Sequence, residues 1–124
     1  AGARMSIRRR IKVEAGRKAL NDWRETDEPD RTTRATAVRY SLEELATRAP
    51  GNTVEVRVPP FGVTQCIAGP THTRGTPPNV VETDADTWLA LVTGSLTWSQ
   101  AVDQARVSAT GTRSDLGEYL PLWP

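Results

Sequence analysis

His72 is the single histidine and Cys66 the single cysteine among 124 residues. One of each cannot assemble a histidine-rich metal site or a structural zinc site, which draw several such ligands together. A Ser-His-Asp arrangement would have to use His72, and no serine stands in a G-x-S-x-G elbow. Neither G-x-G-x-x-G nor G-x-x-x-x-G-K-[ST] occurs, so no glycine-rich loop is present to cradle a phosphate. Paired acids exist, but Glu43-Glu44 flanks a helical apolar stripe and reads as helix solvation, while Asp84 and Asp86 sit where a helix begins and read as capping. Cys66 lies in an alternating strand pattern and reads as a small buried residue, with nothing near it in sequence to lower its pKa. These residues give no catalytic group, metal site or cofactor site, and point to a chain that holds a ligand or partner rather than transforming one.

Two runs remain. Thr71-His72-Thr73-Arg74-Gly75-Thr76 combines an imidazole, a guanidinium and three hydroxyls with a glycine that permits close backbone approach. His72 and Arg74 could grip a polar or anionic head group, Arg74 through its planar donor fork; equally, the run could satisfy a loop crossing a sheet edge. The second run is apolar: Trp88, Leu89, Leu91 and Val92 cover much of a short helix, and Leu96 and Trp98 follow across Gly94. A helix apolar over so wide an arc faces more than one neighbour. Beyond the core, that neighbour could be a ligand cavity, the C-terminal LPLWP, or a partner chain.

The elements that position these runs follow from periodicity. Ala15, Ala19 and Trp23 share a face at four-residue spacing and predict a helix over 14–25, weakened at Gly16. Ala35, Val38, Leu42, Leu45 and Ala49 predict a helix over 32–48, stopped by Pro50-Gly51. Val54, Val56 and Val58 alternate with polar residues as in a half-buried strand; Pro59-Pro60-Phe61-Gly62 turns the chain, and residues 63–68 return as a hairpin. Residues 69–78 read as loop and 79–83 as a third strand. A helix over 84–93 carries a box-like cap from Thr83 with Asp86 and a C-terminal stop at Gly94. Thr97 with Gln100 caps a short helix over 98–104, residues 106–110 form a fourth strand, and residues 115–120 give a last helical turn. This order predicts an α+β domain, with a mixed or antiparallel sheet carrying helices on one face.

The length is that of one domain. Residues 1–24 carry eight basic and two acidic residues although the whole chain is only +1. Residues 1–10 read as a basic flexible tail and residues 11–124 as the domain. Without aromatics among Arg8 to Lys12, nucleic-acid binding is not the expected use of that tail. A single cysteine excludes an internal disulfide framework and makes a reducing cytoplasm the expected compartment. No apolar stretch is long enough for a membrane-spanning helix, so stable membrane insertion is not expected.

The stretch Asp84 to Leu116 resembles the C-terminal half of sterol carrier protein type 2 domains: an acid-capped apolar helix with Trp88 in the aromatic place before Leu89, a turn through Gly94 and Leu96, a short helix, then a strand with Val107 and Gly111. From about Lys12 onward the chain resembles the bacterial sterol-carrier-like family more closely, with VEVRVPPFGVTQCIAGPTHTRGTPPNVVETD as the distinctive stretch. The resemblance implies a sheet of about five strands with helices on one face, and a hydrophobic tunnel between them that takes a lipid, acyl chain or sterol-like molecule without catalysis. The lining expected for that tunnel is Phe61, Trp88, Leu91, Val92, Leu96, Trp98, Leu116, Tyr119, Leu120 and Trp123. The alternative is an accessory module that docks a partner protein or a second copy of itself through the same apolar surface, with no lipid bound.

Overall fold

The computed structural model describes residues 9–69 and 79–124. Two N-terminal helices come first, α1 (Val13–Glu25) and α2 (Arg31–Arg48). The hairpin β1 (Val54–Val58) and β2 (Gly62–Cys66) follows, then β3 (Asn79–Thr83), α3 (Ala85–Thr93), α4 (Trp98–Asp103) and β4 (Val107–Thr110). The strands lie in the order β2-β1-β3-β4. β1 pairs antiparallel with β2 and parallel with β3, and β3 pairs antiparallel with β4.

Four strands are present among the described residues, not the five implied by the resemblance. After β4 the chain does not return to the sheet. A turn at Leu116 receives the N–H groups of Tyr119 and Leu120, and the backbone N–H groups of Leu122 and Trp123 both donate to the Val92 carbonyl at the end of α3. Pro121 and Pro124 have no N–H to give a ladder, which suits this segment to capping a helix end and not to strand pairing.

The strand alternation sorts the sheet into two faces. Val54, Val56, Val58, Cys66 and Val81 are fully buried under the helices. The opposite face carries Glu55, Arg57, Val63, Gln65 and Glu82, with Arg57 in register between Val63 and Glu82. This face is open, and Val63 is 59% exposed.

The helix ends show what the sequence signals were worth. Asp30 caps α2 by accepting from the Thr33 N–H at 2.7 Å. The Thr97–Gln100 capping box forms as expected. Gly94 stands just past α3 at φ +84°, the left-handed conformation that a glycine adopts freely. The cap of α3 is Asp84 and not Thr83: its carboxylate accepts from the Thr87 N–H at 2.8 Å and the Thr87 hydroxyl at 2.9 Å. Thr83 belongs to β3 instead, where its hydroxyl donates to the Arg106 carbonyl at 2.8 Å.

Gly16 costs α1 helix propensity but serves packing. A Cβ at that position would lie 2.2 Å from Tyr40 Cγ, so the Tyr40 ring of α2 rests directly on the α1 backbone. Asp86 then ties three helices together, accepting from the Trp23 indole of α1 and the Arg34 Nε of α2, each at 2.9 Å. Burial alone would push its carboxyl up; the Arg34 and Trp23 donors outweigh that and hold it below its usual value. Asp86 is thus a helix-to-helix tie rather than a cap.

Candidate functional site

α3 is buried on nearly every side: Ala85, Thr87, Trp88, Leu89, Leu91, Val92 and Thr93 all lie inside. Trp88, Leu89, Val92 and Leu116 have no accessible surface, and neither do Val54, Val56, Val58 and Val81 of the facing strands. These side chains therefore border no water-sized void and pack on one another in a single core. The Trp88 indole N–H is satisfied inside this core by the Ser41 hydroxyl at 2.8 Å, and that hydroxyl donates in turn to the Val38 carbonyl at 2.8 Å. The extra neighbour that α3 requires is the C-terminal LPLWP, docked through Val92.

An apolar hollow does exist, but outside that layer. The turn after α3 supplies Gly94, Leu96 and Thr97, the start of α4 supplies Trp98 and Ser99, and the C-terminal segment supplies Asp115, Gly117, Leu120 and Pro121. The hollow has a volume of about 370 Å³. Leu96 is buried, whereas Trp98 and Leu120, also in the lining, are half-buried. The far wall is fixed by local geometry. The Asp115 carboxylate accepts from the Gly117 N–H at 2.7 Å, and a Cβ on Gly117 would come within 3.4 Å of Trp98 Cδ1. Gly117 therefore lets the backbone lie against the indole.

Of the lining predicted for a tunnel, Leu96, Trp98 and Leu120 meet at this hollow. Trp88, Leu91, Val92 and Leu116 belong to the filled core, and Tyr119 is half-buried against it. Phe61 packs against the core as well, but takes no part in lining this hollow. It sits on the β1–β2 turn with the Arg31 guanidinium 5.2 Å from its ring centre, and borders a separate hollow of about 460 Å³ with Pro59, Pro60, Val63 and the charged Glu55, Arg57 and Glu82. His72 and Arg74 lie outside the described residues.

Trp123 has a different task. Its ring stacks on Tyr40 at 5.5 Å with 11° between planes, and the Arg48 guanidinium lies 5.5 Å from its centre. Arg48 also donates to the Leu122 carbonyl at 2.6 Å. The Arg9 guanidinium stands 5.7 Å from the Tyr40 ring, and Glu44 accepts from both Arg9 and Arg48. Burial would raise the Glu44 carboxyl, but these two guanidiniums hold it below its usual value. Beside it, the Glu43 carboxylate accepts from the backbone N–H groups of Arg10 and Ile11 at 3.0 and 3.1 Å. The Glu43-Glu44 pair thus anchors residues 9–11 to α2 and holds Arg48, which donates to the Leu122 carbonyl, a role beyond the solvation read from sequence. Of the tail expected over residues 1–10, Arg9 and Arg10 are described, and both are held here.

Sequence reasoning missed Asp115, Gly117 and Pro121 as walls of the hollow. The D-x-G spacing of Asp115 and Gly117 was the available signal, because an aspartate two residues before a glycine commonly closes an Asx turn.

Cys66 is buried, and burial pushes its thiol up to about 12, so it stays protonated at neutral pH. Among the described residues no three His, Cys, Asp or Glu side chains are grouped to hold a metal ion. No helix among them is long and apolar enough to cross a membrane. No curated protein matches the chain. A family model described as "Bacterial SCP ortholog" does, over residues 30–122, from the cap of α2 to the C-terminal segment, and the chain belongs to that bacterial sterol-carrier-like family.

Proposed function

We propose that the protein binds an apolar small molecule or lipid chain without transforming it, at the hollow between the α3–α4 turn and the C-terminal segment. The observation that carries this reading is the convergence of Leu96, Trp98, Leu120 and Pro121 on one space of about 370 Å³, within the usual range for small-molecule sites. Membership of a sterol-carrier-like family gives the same direction. The inert Cys66 thiol supports binding without covalent chemistry.

The energetics favour a modest carrier. Each buried methylene contributes about 0.8 kcal/mol, so about eight of them give roughly 6 kcal/mol before any association cost, short of the ~8 kcal/mol that a micromolar affinity requires; a chain of that length binds here more weakly than micromolar. A longer chain must either leave part of itself in solvent or open the packing between α3 and the C-terminal segment. As a docking module the surface is less suited: the exposed large apolar side chains among the described residues are Val13, Val63 and Val102, one on each of three elements.

Native mass spectrometry of protein purified from its own source should show a bound apolar molecule. Adding fatty acids of increasing length should shift Trp98 emission in the wild type, and Leu120→Glu should weaken binding about tenfold or more by placing a charge in the hollow. A clean apo mass together with no emission change, or binding indifferent to Leu120→Glu, overturns the reading.

A further inference from the structure

A second hollow lies on the other side of the C-terminal segment. It is lined by Arg17, Leu20, Asn21 and Arg24 of α1 and by Trp123, with a volume of about 190 Å³. Its lining holds two guanidiniums and no carboxylate. The acids nearest in sequence on α1 are not part of it: Glu14 and Glu25 are absent from the lining, and Asp22 accepts from Lys18 at 2.7 Å. The third neighbouring cation, Arg48, stands over the Trp123 ring and is neutralised by Glu44.

Among the described residues, Arg17 makes no ion pair or side-chain hydrogen bond, and Arg24 makes one long bond, at 3.3 Å, to the Trp123 carbonyl. The other α1 base that flanks the hollow's helix, Lys18, is paired. The Trp123 indole N–H also has no acceptor among the described residues, although the indoles of Trp23 and Trp88 both do. Two arginines, Asn21, Leu20 and Trp123 thus line a small space that holds cationic and amide side chains and no acid.

We infer that this hollow between α1 and the C-terminal segment binds a phosphate or carboxylate group, either free in solution or as the head group of a lipid. The guanidinium fork matches both anions in two-point geometry. A volume of about 190 Å³, against roughly 30 Å³ for each water in the liquid, accommodates such a group with a short apolar stub against Leu20. The site is separate from the Leu96–Trp98–Leu120 hollow, so failure of either leaves the other standing.

The test uses the full chain with ¹⁵N-labelled tryptophan and arginine, at fixed ionic strength. Titration with inorganic phosphate should move the Trp123 indole N–H resonance, identified by its loss in Trp123→Phe, along a saturating curve. Arg17→Gln and Arg24→Gln change exposed side chains, leave the fold intact by circular dichroism, and should each weaken binding about tenfold. In parallel, vesicles of phosphatidylcholine with and without phosphatidic acid are sedimented with the protein. Phosphate binding without vesicle binding assigns the site to a soluble anion; binding to vesicles only when phosphatidic acid is present, lost in both variants, assigns it to a lipid head group. The inference is overturned if neither probe binds, or if binding is the same in wild type and the Arg17→Gln/Arg24→Gln double variant.

Discussion

Trp123→Ala tests whether the C-terminal segment is held as the structure shows. The substitution removes the stack on Tyr40 at 5.5 Å and the Arg48 contact at 5.5 Å. Full truncation of a buried tryptophan costs about 3–5 kcal/mol, and Trp123 is only half-buried, so about half of that applies. The stack adds about 1 kcal/mol and the cation–π contact about 0.5 kcal/mol at a partly exposed site. These contributions overlap, and the expected loss is about 2–3 kcal/mol. Urea unfolding followed by circular dichroism measures it, because ellipticity does not depend on which tryptophan is lost. Trp123→Phe keeps a ring to stack and should recover about half of the loss; Arg48→Met keeps the apolar stem and should cost about 1 kcal/mol. The variant should also bind apolar ligand more weakly, although Trp123 does not line that hollow, because Leu120 and Pro121 reach it on the same segment. A Trp123→Ala protein within about 0.5 kcal/mol of wild type, the range of ordinary surface changes, refutes the reasoning. So does a Phe variant no better than the Ala variant.

Gly16→Ala would gain about 1 kcal/mol if α1 were judged on helix propensity alone; with its Cβ 2.2 Å from Tyr40 Cγ, it should instead lose about 1–3 kcal/mol in urea unfolding, as overpacked cores do. Ser41→Ala leaves the buried Trp88 indole N–H without an acceptor and should cost about 1–3 kcal/mol, while Trp88→Phe in that background should cost less than it does alone, a coupling readable in a double-mutant cycle. Glu44 and Asp86 are both held below their unfolded values of 4.5 and 3.8, so each adds stability that is complete above those values and is lost as pH falls through the lower folded ones. Thermal unfolding from pH 7 to pH 2 should therefore show a midpoint steady down to about pH 5 and falling below it, with a shallower fall in Glu44→Gln.

Where the sequence was legible, one local force decided the outcome. Val54, Val56 and Val58 alternate because one face of β1 is buried and the other is not, and Thr97 with Gln100 closes its own box within four residues. Asp84 against Thr83 was a one-residue ambiguity, because both side chains can cap. It was resolved by pairing: β3 and β4 hold Thr83 in register with Val107, and its hydroxyl is already engaged. What could not be read was the partner of a residue far along the chain. Glu44 meets Arg9, Asp86 meets Trp23, and Tyr40 meets Trp123. Nothing in local spacing distinguishes such a carboxylate from a solvated one. The candidate site suffered the same way. Leu96 and Trp98 were found from an apolar run too wide for one neighbour, but the run did not separate the residues that fill the core from those that border open space.

The C-terminal segment explains that division. α3 ends with unsatisfied carbonyls, as every helix does, and the Val92 carbonyl is met by two N–H groups from residues 122 and 123. Docking there buries Leu122 and brings Pro121 within 3.7 Å of where a Cβ on Gly94 would sit. The segment thus seals α3 on one side and, by the same act, becomes a wall for both hollows: Leu120 and Pro121 face the apolar one, and Trp123 the basic one. A ligand that entered the layer between α3 and the sheet would have to displace side chains with no accessible surface, at a cost of several kcal/mol for each large residue moved. A ligand at the hollow by Trp98 displaces only water. The lower-cost route to binding therefore runs along the edge of the C-terminal segment, and substitutions in residues 115–123 should change ligand affinity more than substitutions of equal size in the buried face of α3, which should change stability first.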